Sequence, residues 1–198
     1  MSVTIYGDSI SGNCLKVKWT CDLLGVAYDW IEVDVVKGET RSHDFRALNA
    51  AAQVPTIVFE DGRSLAQSNA IIVHLAEGSD LIPRDAYWRA KMFEWLFWEQ
   101  YSHEPYIAVA RFQMKYLGKS AAELDPKLKE RGGAALARMQ AWLEASPYLV
   151  NGSLSCADIA LVAYTRMAAD GGFDLGEFPA VKAWVERVDK ELGLDPYS

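Results

Sequence analysis

No apolar run in this chain is long enough to cross a bilayer. The densest one, Ala157 to Tyr164, falls far short of the roughly 20 residues a membrane helix needs. Cysteine is scarce: Cys14, Cys21 and Cys156 are too few and too scattered for a disulfide framework, so a reducing, cytoplasmic setting is expected. Histidine is equally scarce. His43, His74 and His103 form no i,i+4 pair and stand apart from the cysteines, which argues against a metal centre. Positive charge is short as well. With 20 basic against 27 acidic residues the net charge is −7, so the chain has no general attraction for nucleic acid, although a local basic patch stays open. The opening segment, Met1-Ser2-Val3-Thr4-Ile5-Tyr6-Gly7-Asp8, has neither a basic n-region nor a long apolar h-region, and no secretory signal is expected. Internal repeats and low-complexity tracts are missing too.

What is present suffices for real cores. The chain has 198 residues, 51% of them hydrophobic, which allows one large domain or two small ones. Its first third alternates strand and helix patterns. Val3 to Tyr6 reads as a short strand ended by Gly7 and Asp8. From Asn13 to Leu24 the apolar residues Cys14, Val17, Cys21 and Leu24 fall at spacings of three and four, a helical stripe, and Gly25 stops it. Tyr28 to Val33 reads as a second strand, and a strand, helix and strand this close imply a right-handed parallel βαβ unit. After a polar stretch, Lys37 to His43, a short helical segment ends near Asn49. Val54 to Phe59 is a third strand with Pro55 at its head, and Asp61-Gly62 turns it into Arg63-Ser64-Leu65. Ser68 is placed to N-cap a helix reaching about Ala76, with Ile71, Ile72 and Leu75 inward. The order βαβ-α-ββα is that of a thioredoxin-like α/β domain, expected over residues 1–77.

Past Gly78-Ser79-Asp80 and Pro83 only helical patterns remain, predicting an all-α domain over residues 84–198. Helices are expected from about Arg84 to Tyr116 with a kink or break at Pro105, then over Ala121–Ala145, Ser155–Ala169 and Phe178–Glu191.

Three places could carry chemistry. Ser11-Gly12-Asn13-Cys14 lies between the first strand and helix, where unpaired backbone N–H groups stabilise an anion. In a thioredoxin-like fold Ser11 stands where a redox relative carries its first cysteine. A hydroxyl cannot exchange disulfides, but it can donate a hydrogen bond to a ligand's sulfur. A free thiol is only about 3% thiolate at neutral pH, so such a bond would matter. Taken alone, Ser11 fits a plain helix cap equally well. Gln53-Val54-Pro55 is a candidate cis peptide that would offer the Val54 backbone to an extended peptide, or else an ordinary turn. Gln67-Ser68 opens the next helix and suits a carboxylate, or again only caps it.

The combination weighs more than its parts. A strand, then S-x-x-C, Q-V-P, D-G and Q-S in this order resembles the glutathione transferases. The stretch Gly62 to Ile72 is close to that family's glutathione-binding helix start, and Ser155-Cys156-Ala157-Asp158-Ile159-Ala160 resembles its S/T-x-A-D-I motif in the second domain. The resemblance covers nearly the whole chain. It implies that Ser11 hydrogen-bonds the glutathione sulfur, assisted by Asn13. It implies that Val54, before a cis Pro55, pairs with the cysteinyl unit, and that Gln67 and Ser68 hold the γ-glutamyl end. Lys37 and Gln53 are weaker candidates for the glycyl carboxylate. Two departures stand out. Gln67 replaces the Glu of many bacterial relatives, so no charge meets the ligand's ammonium. Gly12 occupies the place where one bacterial class has a cysteine, which argues against a mixed disulfide there.

The resemblance therefore implies an enzyme that joins the glutathione thiolate to small hydrophobic electrophiles. Glutathione is the cosubstrate, no metal is needed, and the helical domain completes the electrophile pocket. Glutathione-dependent disulfide or peroxide reduction, and a non-catalytic binding protein on the same fold, are the alternatives. Ser155 and Asp158 read as a reciprocal helix cap, and all three cysteines as buried small hydrophobes. A redox role is left open for Cys14, which sits where a resolving cysteine would, although no attacking thiol stands at position 11. Trp88, Phe93, Trp95, Phe97, Trp98, Tyr101 and Tyr106 cannot share one buried stripe. Some are expected in core, some at a homodimer interface and some at the pocket, where His103 and Tyr106 are candidates that fit a packing role equally well.

Overall fold

The computed structural model describes residues 2–196. They fall into two units, divided between Ser79 and Asp80.

In the first unit, period-two burial builds a sheet. Strand β1 (Ser2–Gly7) turns Val3 and Ile5 inward, and pairs in parallel with β2 (Ala27–Glu32) and antiparallel with β3 (Thr56–Phe59). A hairpin at Gly62, whose φ of 83° suits glycine, leads to β4 (Ser64–Ala66). The order across the sheet is β2-β1-β3-β4. Helix α1 (Gly12–Leu24) buries Cys14, Val17 and Cys21 and packs against α3 (Ser68–Leu75), which buries Ile71, Ile72 and Leu75. Gly25, at φ 66°, closes α1 in a Schellman turn in which its N–H bonds Asp22 and that of Val26 bonds Cys21. A 3₁₀ turn (Glu39–Arg41) and α2 (His43–Leu48), capped by the Ser42 hydroxyl, connect β2 to β3. One expectation is corrected here. Ser68 is the first helical residue of α3, and the capping position belongs to Gln67, whose side chain makes no cap bond.

The second unit is helical, with a single isolated bridge between Val150 and Ser153 among its described residues. Helix α4 (Ala86–Trp98) starts at the Asp85 cap and runs into a π-helical turn (Glu99–His103), α5 (Glu104–Arg111) and a second π turn (Phe112–Tyr116). Pro105 therefore opens α5 rather than breaking a regular helix, because the wider π turn before it absorbs the missing N–H. The helix expected from Ala121 starts later. Ala121–Glu123 is a 3₁₀ turn, and α6 (Pro126–Leu143) begins at the Asp125 cap with proline at its first position. All ten residues of α7 (Cys156–Thr165) are buried, which makes it the central helix of the unit, packed by α4, α5 and α8 (Pro179–Glu191). No helix among the described residues is long and apolar enough to cross a membrane.

Candidate glutathione site

The β1–α1 loop is held from both sides by acids. Asp8, buried, accepts the Ile10 N–H at 3.0 Å on one carboxylate oxygen and the Val35 N–H at 2.9 Å on the other. Glu32 accepts the Ser9 N–H at 2.8 Å, the Ser9 hydroxyl at 3.0 Å and the Trp30 indole N–H at 2.6 Å. Partial burial works against ionisation of Glu32, but these three bonds outweigh it and hold its pKa below the usual carboxylate range. The loop thus delivers Ser11 to the head of α1 in extended geometry, φ −84° and ψ 119°. Its side chain makes no cap bond to the helix, so the hydroxyl is not consumed by capping.

Cys14 lies just below. Its sulfur accepts the Asp8 N–H at 3.3 Å. Burial pushes the thiol up to about 11, against weaker opposing hydrogen bonds from the Asp8 backbone and the Ser11 side chain. Such a thiol stays protonated at neutral pH and does not act as a nucleophile. Burial does the same to Cys21, at about 11, and to Cys156, at about 12.

Asn13 joins the two helix starts. Its side-chain oxygen accepts the Ser68 hydroxyl at 3.1 Å and the Lys16 ammonium at 2.8 Å. Lys16 is wholly buried, and its ammonium also lies 3.5 Å from the Asn69 side-chain oxygen. The N-terminal ends of α1 and α3 are therefore joined through one polar cluster of Asn13, Lys16, Ser68 and Asn69, with Ser11 preceding α1 in the chain. Gln67 precedes Ser68 at φ 72°, a conformation that costs a non-glycine residue about 1–3 kcal/mol and is concentrated at functional sites. The Val54–Pro55 peptide bond is cis. The preceding carbonyl, that of Gln53, is fixed by the Asn49 amide at 2.8 Å and the Thr56 hydroxyl at 3.2 Å.

The remaining candidates make contacts of their own. Lys37 is exposed and its ammonium sits 2.8 Å from Asp34, which raises its pKa. In the helical unit, His103 is fully buried with Nε2 2.9 Å from the Thr165 hydroxyl, and the Tyr106 hydroxyl accepts from Arg131 at 2.8 Å. Among the described residues no group of three or more His, Cys, Asp or Glu side chains is arranged to hold a metal ion. Lys16 was missed by sequence reasoning. The signal was a polar stripe, Asn13-Lys16-Thr20, beside the apolar one on the same helix.

Two family models match the chain: the glutathione S-transferase N-terminal domain over residues 10–77 and the glutathione S-transferase C-terminal domain over residues 95–190. The chain belongs to the glutathione S-transferase family. Within the family it is similar to a crystal structure of a glutathione S-transferase from Pseudomonas fluorescens, with 46% identity, a TM-score of 0.92 and 94% of each chain covered. It is 29% identical over 196 residues to glutathione S-transferase 3 of Zea mays, covering 93% of this chain and 87% of that one. It is also 31% identical over 172 residues to the disulfide-bond oxidoreductase YfcG of Escherichia coli, covering 81% of this chain and 78% of the other.

Proposed function

We propose that this family member is a glutathione transferase that joins the glutathione thiolate to small hydrophobic electrophiles. The observation that supports the reading is the Asn13–Ser68 hydrogen bond, which links two helix N-termini. Ser11 at the first N-terminus donates to the ligand sulfur, with Asn13 beside it. Ser68 and Gln67 at the second take the γ-glutamyl carboxylate and amino groups. The Val54 backbone before Pro55 pairs with the cysteinyl unit, and Lys37 and Gln53 serve the glycyl carboxylate. Lowering the thiol pKa by about two units needs roughly 2.7 kcal/mol, within reach of one hydroxyl donor added to a helix dipole. In the helical unit, Tyr106 faces the electrophile and the buried His103 supports that region. The enzyme acts as a cytoplasmic homodimer and needs no metal.

A second reading, glutathione-dependent disulfide reduction, is favoured by the relative named as a disulfide-bond oxidoreductase. Because Cys14 is buried and protonated, the reducing thiol would have to be glutathione itself. Calorimetric titration of glutathione and S-methylglutathione into wild type and Ser11→Ala separates these readings from a non-catalytic one. The transferase reading expects both ligands to bind wild type. It also expects Ser11→Ala to keep binding while losing the thiolate absorbance near about 240 nm. High disulfide reduction with little aryl-halide conjugation would favour the reductase. No binding at millimolar glutathione would remove both.

A further inference from the structure

The most unusual side chain in the first unit is Lys16, wholly buried on α1. An ammonium loses much of its hydration on such burial, and an apolar side chain of similar length would fill the same space without that cost. What the ammonium does there follows from its chemistry. It has donors and no acceptor, so it can meet only the oxygen of a side-chain amide. Its 2.8 Å contact therefore fixes which way the Asn13 amide points, with Oδ1 turned toward both Lys16 and the Ser68 hydroxyl.

We propose that Lys16 is a positioning residue for the γ-glutamyl carboxylate of bound glutathione, acting through Asn13 and Ser68. The proposal rests on the reading of Ser68 as the carboxylate seat. Before binding, the Ser68 hydroxyl spends its proton on Asn13 Oδ1. To meet a carboxylate it must turn away, exchanging a neutral acceptor for a charged one. Without Lys16 that turn would strip a donor from an amide oxygen at a part-buried place, which opposes binding. With Lys16 the oxygen keeps a charged donor, and the hydroxyl is released at little cost. The same ammonium adds a positive charge behind the N-terminus of α3, where the helix dipole already favours an anion. Both effects converge on the carboxylate.

The test compares two ligands on three proteins: glutathione and its analogue lacking the γ-glutamyl α-carboxylate, titrated into wild type, Lys16→Met and Lys16→Gln. Lys16→Met should bind glutathione about 10-fold more weakly, the scale of a partly screened charge contact, and the analogue within about 2-fold of wild type. Lys16→Gln keeps a donor for Asn13 without the charge, so its loss should be intermediate and again confined to glutathione. It carries the test should Lys16→Met fail to fold. Equal weakening of both ligands, or no weakening of either, overturns the proposal while leaving the glutathione site intact. If wild type binds neither ligand, the glutathione reading itself falls and takes this proposal with it.

Discussion

Asp158 is a carboxylate taken wholly out of water and surrounded by donors. One oxygen accepts the Leu149 N–H and the Trp184 indole N–H, each at 2.9 Å, and the other accepts the Ser155 N–H at 3.0 Å and the Ser155 hydroxyl at 2.7 Å. Burial nevertheless dominates and pushes its pKa up to about 6 from an ordinary 3.8. The folded protein then holds this proton more tightly than the unfolded chain does. The Asp158 part of the stability is therefore complete below about pH 4 and declines as pH rises through about 6. Urea denaturation of wild type and Asp158→Asn from pH 4 to 7 checks this. Wild type should lose about 2–3 kcal/mol relative to the variant over that range; a flat difference would reject it. As a capping pair, Ser155 and Asp158 were legible in the sequence because both partners lie within one helical turn. The Leu149 and Trp184 contacts were not, since they depend on tertiary packing. The same divide explains the first unit. Ser11, Gln67 and Ser68 stood out through local motif spacing. Asn13 was legible only as an assistant to Ser11, because its bond to Ser68 spans two helices.

Helix α6 shows how one element is tuned by what faces it. Gly132 and Gly133 are neighbours in the same helix, yet a Cβ at Gly132 would stand 2.4 Å from the Phe173 ring, while one at Gly133 would meet nothing within 4 Å. Gly133→Ala should stabilise by up to about 1 kcal/mol through helix propensity alone. Gly132→Ala should destabilise by about 1–3 kcal/mol, because the ring is packed and must shift. Thermal melts of the two variants decide it, and a shared sign would show that the ring yields freely. Helix existence was legible throughout this unit from apolar periodicity. The true start of α6 was less so, because Ala121–Glu123 has helical composition and its own Ser120 cap. The π turns before Glu104 and after Arg111 leave no simple sequence mark, since one extra residue per turn shifts the stripe without erasing it.

At the scale of the whole molecule, the net charge of −7 keeps copies apart in general, so self-association would need a specific apolar patch. Phe97 and Tyr101, 72% and 82% exposed and one helical turn apart, supply the start of one. Sedimentation equilibrium is expected to return twice the chain mass of 22.0 kDa, and Tyr101→Glu to shift the population toward a single copy. A wild type that sediments at 22.0 kDa would remove the homodimer from the proposal. The Asp158 cluster also bears on how the chain is made. Trp184 follows Asp158 by 26 positions, so at about 5–20 residues per second the ribosome needs roughly 1–5 s to supply the indole after the carboxylate. During that interval the central helix exists without its last hydrogen-bond donor. Completion of the helical unit thus waits for α8, the element that supplies this donor.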